Sequence, residues 1–330
     1  PGKAEIEACM QRLRGRFNLL PLHGTLSLNE QRRAFESTRE RKIILATNVA
    51  ETALTIPGIG VVIDSGLVRQ TRYHQGRAFL VLGPIAEDSA AQRTGRAGRT
   101  GPGVCYRLWS SAAQLQASTP PEIHRESLVP LVLTAAAWGE NIEALPLLDP
   151  AKPYALSAAR DELRAFGALQ GDAALSDTGQ RLFALPIAPA HAQLVVQARA
   201  HDCLEDMLDL VAVLSVGRPV FSAKRPELAP ADDLRAAGCD ASAYIRALRA
   251  PEPAVHAADT FVIREAQSAR LRLRRLVGLP ETPPTRAEIR RDALLSAALA
   301  ADPRACYVSR GKGRERYFSN GEGELELARE

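Results

Sequence analysis

Short apolar runs alternate with amphipathic segments through about the first 110 residues of the chain. The apolar runs are bounded by turn residues, which is typical of strands buried on both faces of a parallel sheet; they span 17–24, 42–47, 60–66 and 103–109. Segments with helical periodicity lie among them, at 4–16, 28–37 and 88–99. Alternation of this kind predicts a doubly wound α/β domain. Period-two alternation at 67–84, around Gln75 and Gly76, adds a β-hairpin.

The texture changes near residue 125. Helical segments at 123–139, 158–169 (with Ser157 as N-cap) and 177–186 enclose two very short strands at 170–176, an order that suggests a winged-helix unit. The chain from 188 to 302 is almost all amphipathic helix, and strand alternation returns in the tail. We therefore expect four parts: an α/β domain at 1–124, a winged helix at 125–187, a helical bundle at 188–302, and the start of a β domain or tail at 303–330.

Composition narrows the class of protein without naming it. Hydrophobic residues make up 46% of the chain, and the net charge of +4 permits a polyanionic partner without requiring one. Only five of the 42 basic residues are lysines, so arginine abundance alone indicates little. The five cysteines form no C-x-x-C pair and the six histidines show no metal-ligand spacing, which argues against a metal site and suits a reducing cytoplasm. No apolar run is long enough to span a membrane, so we expect no membrane partner.

The stretch "QRTGRAGRTGPG" at 92–103 carries the first candidate chemistry. Gln92, Arg96 and Arg99 are spaced to share one helical face, and the intervening glycines leave the guanidinium groups open to a ligand. Two guanidinium groups beside an amide suit a triphosphate, because arginines neutralise the charge of phosphoryl transfer and an amide orients water. A solvated basic helix start is the alternative interpretation.

The segment "ATNVAETALTI" at 46–56 carries the second. Thr47 and Asn48 follow a predicted strand, and open α/β sheets bind ligands at the carboxyl ends of their strands. Short hydroxyl and amide side chains there suit phosphate and sugar oxygens. A simple helix cap is the alternative for these two residues.

These stretches, with "PGKAEI" (1–6), "PLHGTLSLNEQRRAF" (21–35) and "VVIDSGLVR" (61–69), resemble in order and spacing the second RecA-like domain of DEAH-box superfamily-2 helicases, most closely the bacterial HrpB type. The later segments resemble the winged-helix and ratchet domains of that family. The resemblance implies the C-terminal portion of an ATP-dependent RNA helicase that translocates 3′ to 5′, with ATP and Mg²⁺ as cofactors and single-stranded RNA, or DNA, as partner.

The resemblance also assigns roles to residues. Gln92 would lie near the attacking water, with Arg96 and Arg99 as arginine fingers on the γ-phosphate. Expected nucleotide contacts are Phe35, Thr55 and Gly95, although Phe35 also suits an ordinary core position. Expected nucleic-acid contacts are Gly2, Lys3, Gly24, Thr25, Thr47, Asn48, Arg69 and Arg72, with Arg77 in the same hairpin.

Other charged residues have competing interpretations. Asp64 could be a catalytic acid, but a carboxylate at a strand end more often caps the next turn. The arginine run at 270–276 could line an RNA channel, with a solvated helix face as the alternative.

The other half of such an enzyme is absent from the sequence. No G-x-x-x-x-G-K-[ST] loop and no D-E-x-H motif occurs, and the chain begins without methionine, as expected of a fragment. We therefore expect a cytoplasmic monomer that does not hydrolyse ATP alone, because the missing first RecA-like domain of the same chain would hold the phosphates and Mg²⁺. The alternative function is a non-hydrolysing RNA-binding or scaffold module.

Two departures from the family pattern generate a prediction. Ala53 replaces a serine that senses nucleotide state, and Pro57 replaces an acidic residue near the nucleotide. We expect weak selection of ATP over GTP once this chain is rejoined to a first RecA-like domain. Comparing kcat/KM for the two nucleotides checks this, and strong ATP selectivity would contradict it.

Overall fold

The fold comes from a computed structural model of the 330-residue chain. The structure describes residues 2–24, 26, 28–38, 40–51, 55–74, 77–171, 174–218, 220–221, 239–250, 258–283, 288–309, 317–321 and 324–326. Two compact units are present, one formed by residues 1–127 with 149–152 and the other by 128–148 with 153–330.

The first unit has the predicted order of strands and helices. Its helices are α1 (Lys3–Leu13), α2 (Leu28–Arg33) and α3 (Glu87–Thr94). Its strands are β1 (Asn18–Leu22), β2 (Lys42–Ala46), β3 (Val61–Asp64), β4 (Leu67–His74), β5 (Arg77–Pro84) and β6 (Val104–Arg107). Ser27, the predicted cap of α2, lies outside the described residues.

The parallel strands form two pairs. Strand β1 pairs with β2, Asn18 opposite Lys42, and β3 pairs with β6, Val61 opposite Val104. Among the described residues these pairs are not hydrogen-bonded into one sheet. Strands β4 and β5 form the expected antiparallel hairpin, with His74 opposite Arg77, while the turn residues lie outside the described part.

Burial of β3 and β6 differs from the expectation. We predicted strands covered on both faces, but the side chains of Val61, Ile63, Val104 and Tyr106 are each more than half exposed. Helix α3 packs against β3. In the part of the chain that the structure describes, the other face of the pair has no such cover, so the prediction of two-sided burial is wrong here.

The second unit begins with three helices and a small hairpin. These are α4 (Val129–Ala137), α5 (Pro153–Ala165), β7 (Leu169–Gln170), β8 (Ala174–Leu175) and α6 (Asp177–Phe183). Ser157 does not cap α5, because the helix starts four residues earlier with a proline, whose fixed φ suits a first helical position. Ser176 caps α6 instead, its hydroxyl accepting the Gly179 N–H at 3.0 Å.

In the rest of the second unit, the structure describes five longer helices and three short strands. The helices are α7 (Pro189–Ala200), α8 (Leu204–Leu214), α9 (Asp240–Arg249), α10 (Thr260–Leu276) and α11 (Arg291–Ala301). The strands β9 (Val308–Ser309), β10 (Tyr317–Ser319) and β11 (Glu324–Glu326) are antiparallel, as the tail pattern predicted.

A buried charge cluster joins three helices of this bundle. Arg249 of α9 donates to Asp206 at 2.5 Å and to Asp209 at 2.7 Å, and both carboxylates lie on α8. Arg270 of α10 lies 3.7 Å from Asp209. Because Asp206 and Asp209 are at most 3% exposed, their charges depend on these guanidinium groups.

Removing the central arginine is therefore expected to destabilise the bundle. Arg249→Ala leaves two buried carboxylates without their main partner, and we expect a loss of about 3–5 kcal/mol in the free energy of unfolding. Urea unfolding followed by circular dichroism at the helical band measures it. Arg275→Ala removes an exposed pair with Glu281 and is the matched control, with no measurable change expected. Equal effects of the two variants would contradict the prediction.

Candidate functional site

Arg96 and Arg99 lie beyond the helix that carries Gln92. Helix α3 ends at Thr94, and Arg96 and Arg99 belong to the turns that follow. The prediction that all three share one helical face is therefore wrong. Glycines at 95 and 98 explain this early end, because glycine is among the poorest helix formers. Gln92 is exposed on the last turn of α3.

Close packing fixes the shape of this turn. A Cβ atom added to Gly103 would lie 2.1 Å from the Ala97 carbonyl oxygen, so only glycine fits beside that carbonyl. Arg107 of β6 donates to the Thr94 hydroxyl at 3.3 Å, and its guanidinium group lies over the ring of Trp109 at 5.7 Å. The segment after the turn thus holds the turn in place.

Both arginines of the turn bind neutral oxygens. Arg96 donates to the backbone carbonyl of Glu51, and Arg99 donates to the hydroxyl of Thr55 at 2.9 Å. The pKa of Arg96 is lowered, first by burial and then by the positive charge of Arg99, while Glu51 opposes the shift. Two guanidinium groups are therefore close enough to repel each other, which makes the turn a favourable place for an anion.

An ionic junction of Arg93, Glu51 and Asp64 lies next to this turn in the chain. Arg93 of α3 donates to Glu51 at 2.9 Å and to Asp64 at 2.9 Å, and also to the Leu67 carbonyl at 3.2 Å. Ser89 donates a further hydrogen bond to Glu51 at 2.7 Å. The junction ties α3 to the segment after β2 and to the start of the hairpin.

Sequence reasoning missed Arg93 and Glu51 as a pair. Both lie inside the quoted motifs, but they are 42 residues apart in the chain, so no local pattern links them. Asp64 was interpreted as a turn cap, and this is confirmed, because it accepts the Gly66 N–H at 2.9 Å. Arg93 donates to the same oxygen of Asp64, Oδ1, and this contact was not predicted.

Three of the predicted nucleic-acid contacts, Gly24, Thr47 and Asn48, lie just after the carboxyl ends of β1 and β2. Thr47 follows β2, and its N–H donates to the carbonyl of Leu22, the last residue of β1, at 3.1 Å. The Thr47 hydroxyl accepts the Val49 N–H at 3.4 Å, as the helix-cap interpretation requires, while Asn48 is exposed. Gly24 follows β1 and is exposed as well.

Gly2 and Lys3 begin helix α1. Gly2 is buried beneath the Arg69 side chain, whereas Lys3 is exposed. Thr25 and Ala53 lie outside the described residues, and the side chains of Arg72 and Arg77 do too.

Arg69 is held by a carboxylate, which was not predicted. Its guanidinium group lies 2.5 Å from Glu5 of α1, and this hydrogen bond lowers the pKa of Glu5. A nucleic-acid phosphate would have to compete with Glu5 for the guanidinium group. Arg69 is therefore less available to nucleic acid than the sequence suggested.

The remaining nucleotide-contact candidates are dispersed. Phe35 is half-buried in the turn after α2 and not within the helix, because α2 ends at Arg33. Gly95 caps the end of α3, and Thr55 contacts Arg99 as described above. Pro57 is exposed two residues beyond Thr55.

The arginine run at 270–276 is neither an open channel lining nor a simple solvated face. Arg274 is 1% exposed and pairs with Glu205 of α8, and Arg275 pairs with Glu281 at 2.6 Å. Arg272 alone in this run is exposed with no ion pair among the described residues.

The described residues hold no group of three histidine, cysteine or acidic side chains arranged to bind a metal. None of their helices combines the length and the apolar character that crossing a membrane requires.

Comparison with known proteins places both units in context. Residues 1–101 match the model of the "helicase conserved C-terminal domain", and residues 188–273 match the "helicase associated domain (HA2), ratchet-like". The pre-mRNA-splicing factor ATP-dependent RNA helicase prp22 of Schizosaccharomyces pombe is 36% identical over 226 residues, which is 66% of this chain.

Two solved structures of Escherichia coli HrpB are similar over nearly the whole chain. One is described as a DExH-box NTPase, with 28% identity, 99% of this chain covered and a TM-score of 0.76. The other is described as a DEAH/RHA helicase, with 27% identity, 97% covered and a TM-score of 0.77. The chain spans 37% and 38% of those structures and 19% of prp22.

The packing of Gly103 yields a prediction. Gly103→Ala forces a Cβ atom against the Ala97 carbonyl and must displace the turn, so we expect a loss of about 1–3 kcal/mol in the free energy of unfolding of the first unit. Urea unfolding in a Trp138→Phe background measures it, because the remaining tryptophan, Trp109, then reports on this unit alone.

Gly101→Ala is the matched control. Among the described residues, no heavy atom lies within 4 Å of a Cβ built at Gly101, so a change within about 0.5 kcal/mol is expected. A stable Gly103→Ala variant would show that the turn accommodates the methyl group.

Proposed function

The chain belongs to the DEAH-box helicases of superfamily 2, as a C-terminal part of the HrpB type, and we propose that it supplies the arginine side of an ATP-driven RNA motor. In this proposal the 1–124 part is the second RecA-like domain, 125–187 a winged helix, 188–302 the ratchet domain and 303–330 the start of a further β domain. The motor translocates 3′ to 5′ on single-stranded RNA.

One observation carries the proposal: Arg96 and Arg99 converge on a single turn, where Arg96 donates to the Glu51 carbonyl and Arg99 to the Thr55 hydroxyl. Hydrogen bonds between a guanidinium group and a phosphate are roughly twice as strong as those to neutral oxygens. A triphosphate can therefore displace the Glu51 carbonyl and the Thr55 hydroxyl. Arg93, by contrast, is held by two carboxylates and stays in place.

The residues of the turn fit an ATP γ-phosphate on electrostatic grounds. Burial and the charge of Arg99 already lower the pKa of Arg96, so an incoming anion relieves an unfavourable arrangement. ATP supplies the phosphoanhydride bond that is cleaved. A first RecA-like domain would supply the phosphate loop and the residues that hold Mg²⁺. The sequence contains neither a G-x-x-x-x-G-K-[ST] loop nor a D-E-x-H motif, so on its own the chain would not hydrolyse ATP.

The proposal assigns a role to each of several side chains of this chain. Arg96 and Arg99 neutralise charge on the transferred phosphoryl group, and the exposed amide of Gln92, one turn before them, orients the water. Thr55 and Gly95 border the turn, while Phe35 would lie against the base. Tight positioning matters here, because a displacement of about 1 Å in such sites can cost roughly 100-fold in rate.

Nucleic acid would lie at the carboxyl ends of β1 and β2. Thr47, Asn48, Gly24 and the α1 start at Gly2 and Lys3 present hydroxyl, amide and backbone groups suited to phosphate and sugar oxygens. Such contacts carry no sequence information, which permits stepping along any strand. Arg69, with Thr25, Arg72 and Arg77, would extend this path.

Glu51 links the two sites in this proposal. Its carbonyl binds Arg96, its carboxylate binds Arg93, and it directly follows the short helix that begins after Thr47. Closure of the arginine turn on nucleotide would then pull on the segment that contacts the strand, and opening after hydrolysis would release it.

The test is ATP turnover with and without single-stranded RNA, for this chain alone and after it is rejoined to a first RecA-like domain. We expect turnover only in the rejoined protein, and a loss of about 1,000-fold or more with Arg96→Ala, as for arginine fingers in other phosphoryl-transfer enzymes. Arg99→Ala is expected to act in the same direction.

Arg125→Ala is the control, because Arg125 pairs with Glu122 and Glu126 away from the turn and should leave turnover unchanged. A rejoined protein that binds RNA but never hydrolyses ATP would instead support the non-hydrolysing binding module. Turnover that survives Arg96→Ala would overturn the assignment of the arginine fingers.

A further inference from the structure

The amino ends of strands β1 and β2 carry arginines that the proposed motor does not use. Helix α1 leads directly into β1, so its last turn and the following turn lie at the start of that strand. Lys42 holds the end of α2 at the same edge by donating to the carbonyls of Ala34 and Glu36, both at 2.8 Å. Six exposed arginines flank this edge: Arg12, Arg14, Arg16, Arg32, Arg33 and Arg41. We call these six residues the basic edge.

The arginines of the basic edge have no partner among the described residues. Within the described residues, none of its six guanidinium groups makes an ion pair or a side-chain hydrogen bond. Elsewhere in that described part, most arginines have a partner, as Arg69 and Arg93 do, and three others share the unpaired state: Arg181, Arg264 and Arg272. The loops at the edge contribute two acids, Glu36 and Glu40. The six arginines therefore outnumber the two acids, and the edge carries a net positive charge.

An aromatic ring lies within this edge. Phe17 is 47% exposed and immediately precedes β1. The parallel register pairs Asn18 with Lys42, so the residues one position earlier, Phe17 and Arg41, are neighbours. A ring beside guanidinium groups is the combination with which proteins hold single-stranded nucleic acid, through base stacking and phosphate contacts.

We propose that the basic edge binds the phosphate backbone of single-stranded RNA, with Phe17 stacking on a base. Arginine suits this partner because its planar fork binds phosphate oxygens in pairs. The five-residue strands separate this edge from the Thr47 end by about 16 Å, so it is a second surface and not an extension of the first. The proposal does not depend on ATP chemistry.

The test uses the 330-residue chain alone and a fluorescein-labelled oligouridylate of about 12 nucleotides, a length that spans sites of this kind. Fluorescence anisotropy gives the dissociation constant across a salt series. Arg14→Gln/Arg16→Gln removes two phosphate contacts outside any helix or strand. We expect roughly tenfold weaker binding, and a slope of log K against log salt that is shallower by about 1.4.

Arg181→Gln/Arg264→Gln is the matched control, since it makes the same change in net charge at two other exposed, unpaired arginines. Phe17→Leu should weaken binding about fivefold or more without altering the salt slope, because stacking releases no counterions. Equal losses for the two double variants, or unchanged binding in Arg14→Gln/Arg16→Gln, would overturn the proposal. Displacement of the RNA by polyglutamate at equal charge, with no effect of Phe17→Leu, would overturn RNA in favour of an acidic protein partner.

These outcomes are separable from those of the proposed motor. RNA binding at the basic edge is measured without ATP and without the first RecA-like domain. A rejoined protein with no ATP turnover would overturn the motor and leave the basic edge intact, whereas normal turnover with no effect of the arginine variants would do the reverse.

Discussion

The first unit depends on the contact of Arg93 with Glu51 and Asp64. One guanidinium group joins a helix, the segment after β2 and the end of β3, and it does so where Asp64 is almost fully buried. Removing one partner leaves a buried charge without compensation and strongly destabilises the fold. Replacing the whole pair by apolar residues, by contrast, often changes the free energy of unfolding little. The junction therefore fixes the positions of Glu51 and Asp64 relative to α3. Because the turn with Arg96 and Arg99 directly follows α3, the junction also helps to position that turn.

The arginines of the first unit differ in the charge of the groups that accept their hydrogen bonds. Carboxylates hold Arg93 and Arg69, whereas Arg96 and Arg99 contact a carbonyl and a hydroxyl. The bundle of the second unit uses carboxylates in the same structural way, around Arg249 and Arg274. In the proposed function, a single residue type thus serves as scaffold where its acceptor is a carboxylate and as ligand-binding group where its acceptor is neutral.

Much of this organisation could be predicted from the sequence. Apolar runs placed strands β1, β2, β3 and β6, the hairpin followed from period-two alternation, and five motifs indicated the helicase family, which the comparisons confirm together with its C-terminal helicase and ratchet-like domains. Local pattern was sufficient there because each element has a distinct period.

The errors arose where tertiary contacts decide. The end of α3 before Arg96 reflects two glycines and the packing of Gly103, and the start of α5 at Pro153 overrode a plausible serine cap. The burial of Arg274 and the Arg93 junction join residues far apart in the chain, so no local period could reveal them. The roles of Gln92, Arg96, Arg99 and the nucleic-acid contacts remain predictions, as do the four domain boundaries and the winged helix.

The uncovered face of β3 and β6 has a consequence for the chain in solution. Its valine, isoleucine and tyrosine side chains form a β-branched and aromatic surface on two short paired strands. Surfaces of this kind attract one another, and strand edges beside them offer backbone groups for intermolecular pairing. Self-association through this face, and not only the free energy of unfolding, is therefore expected to limit the concentration at which the isolated polypeptide remains monomeric.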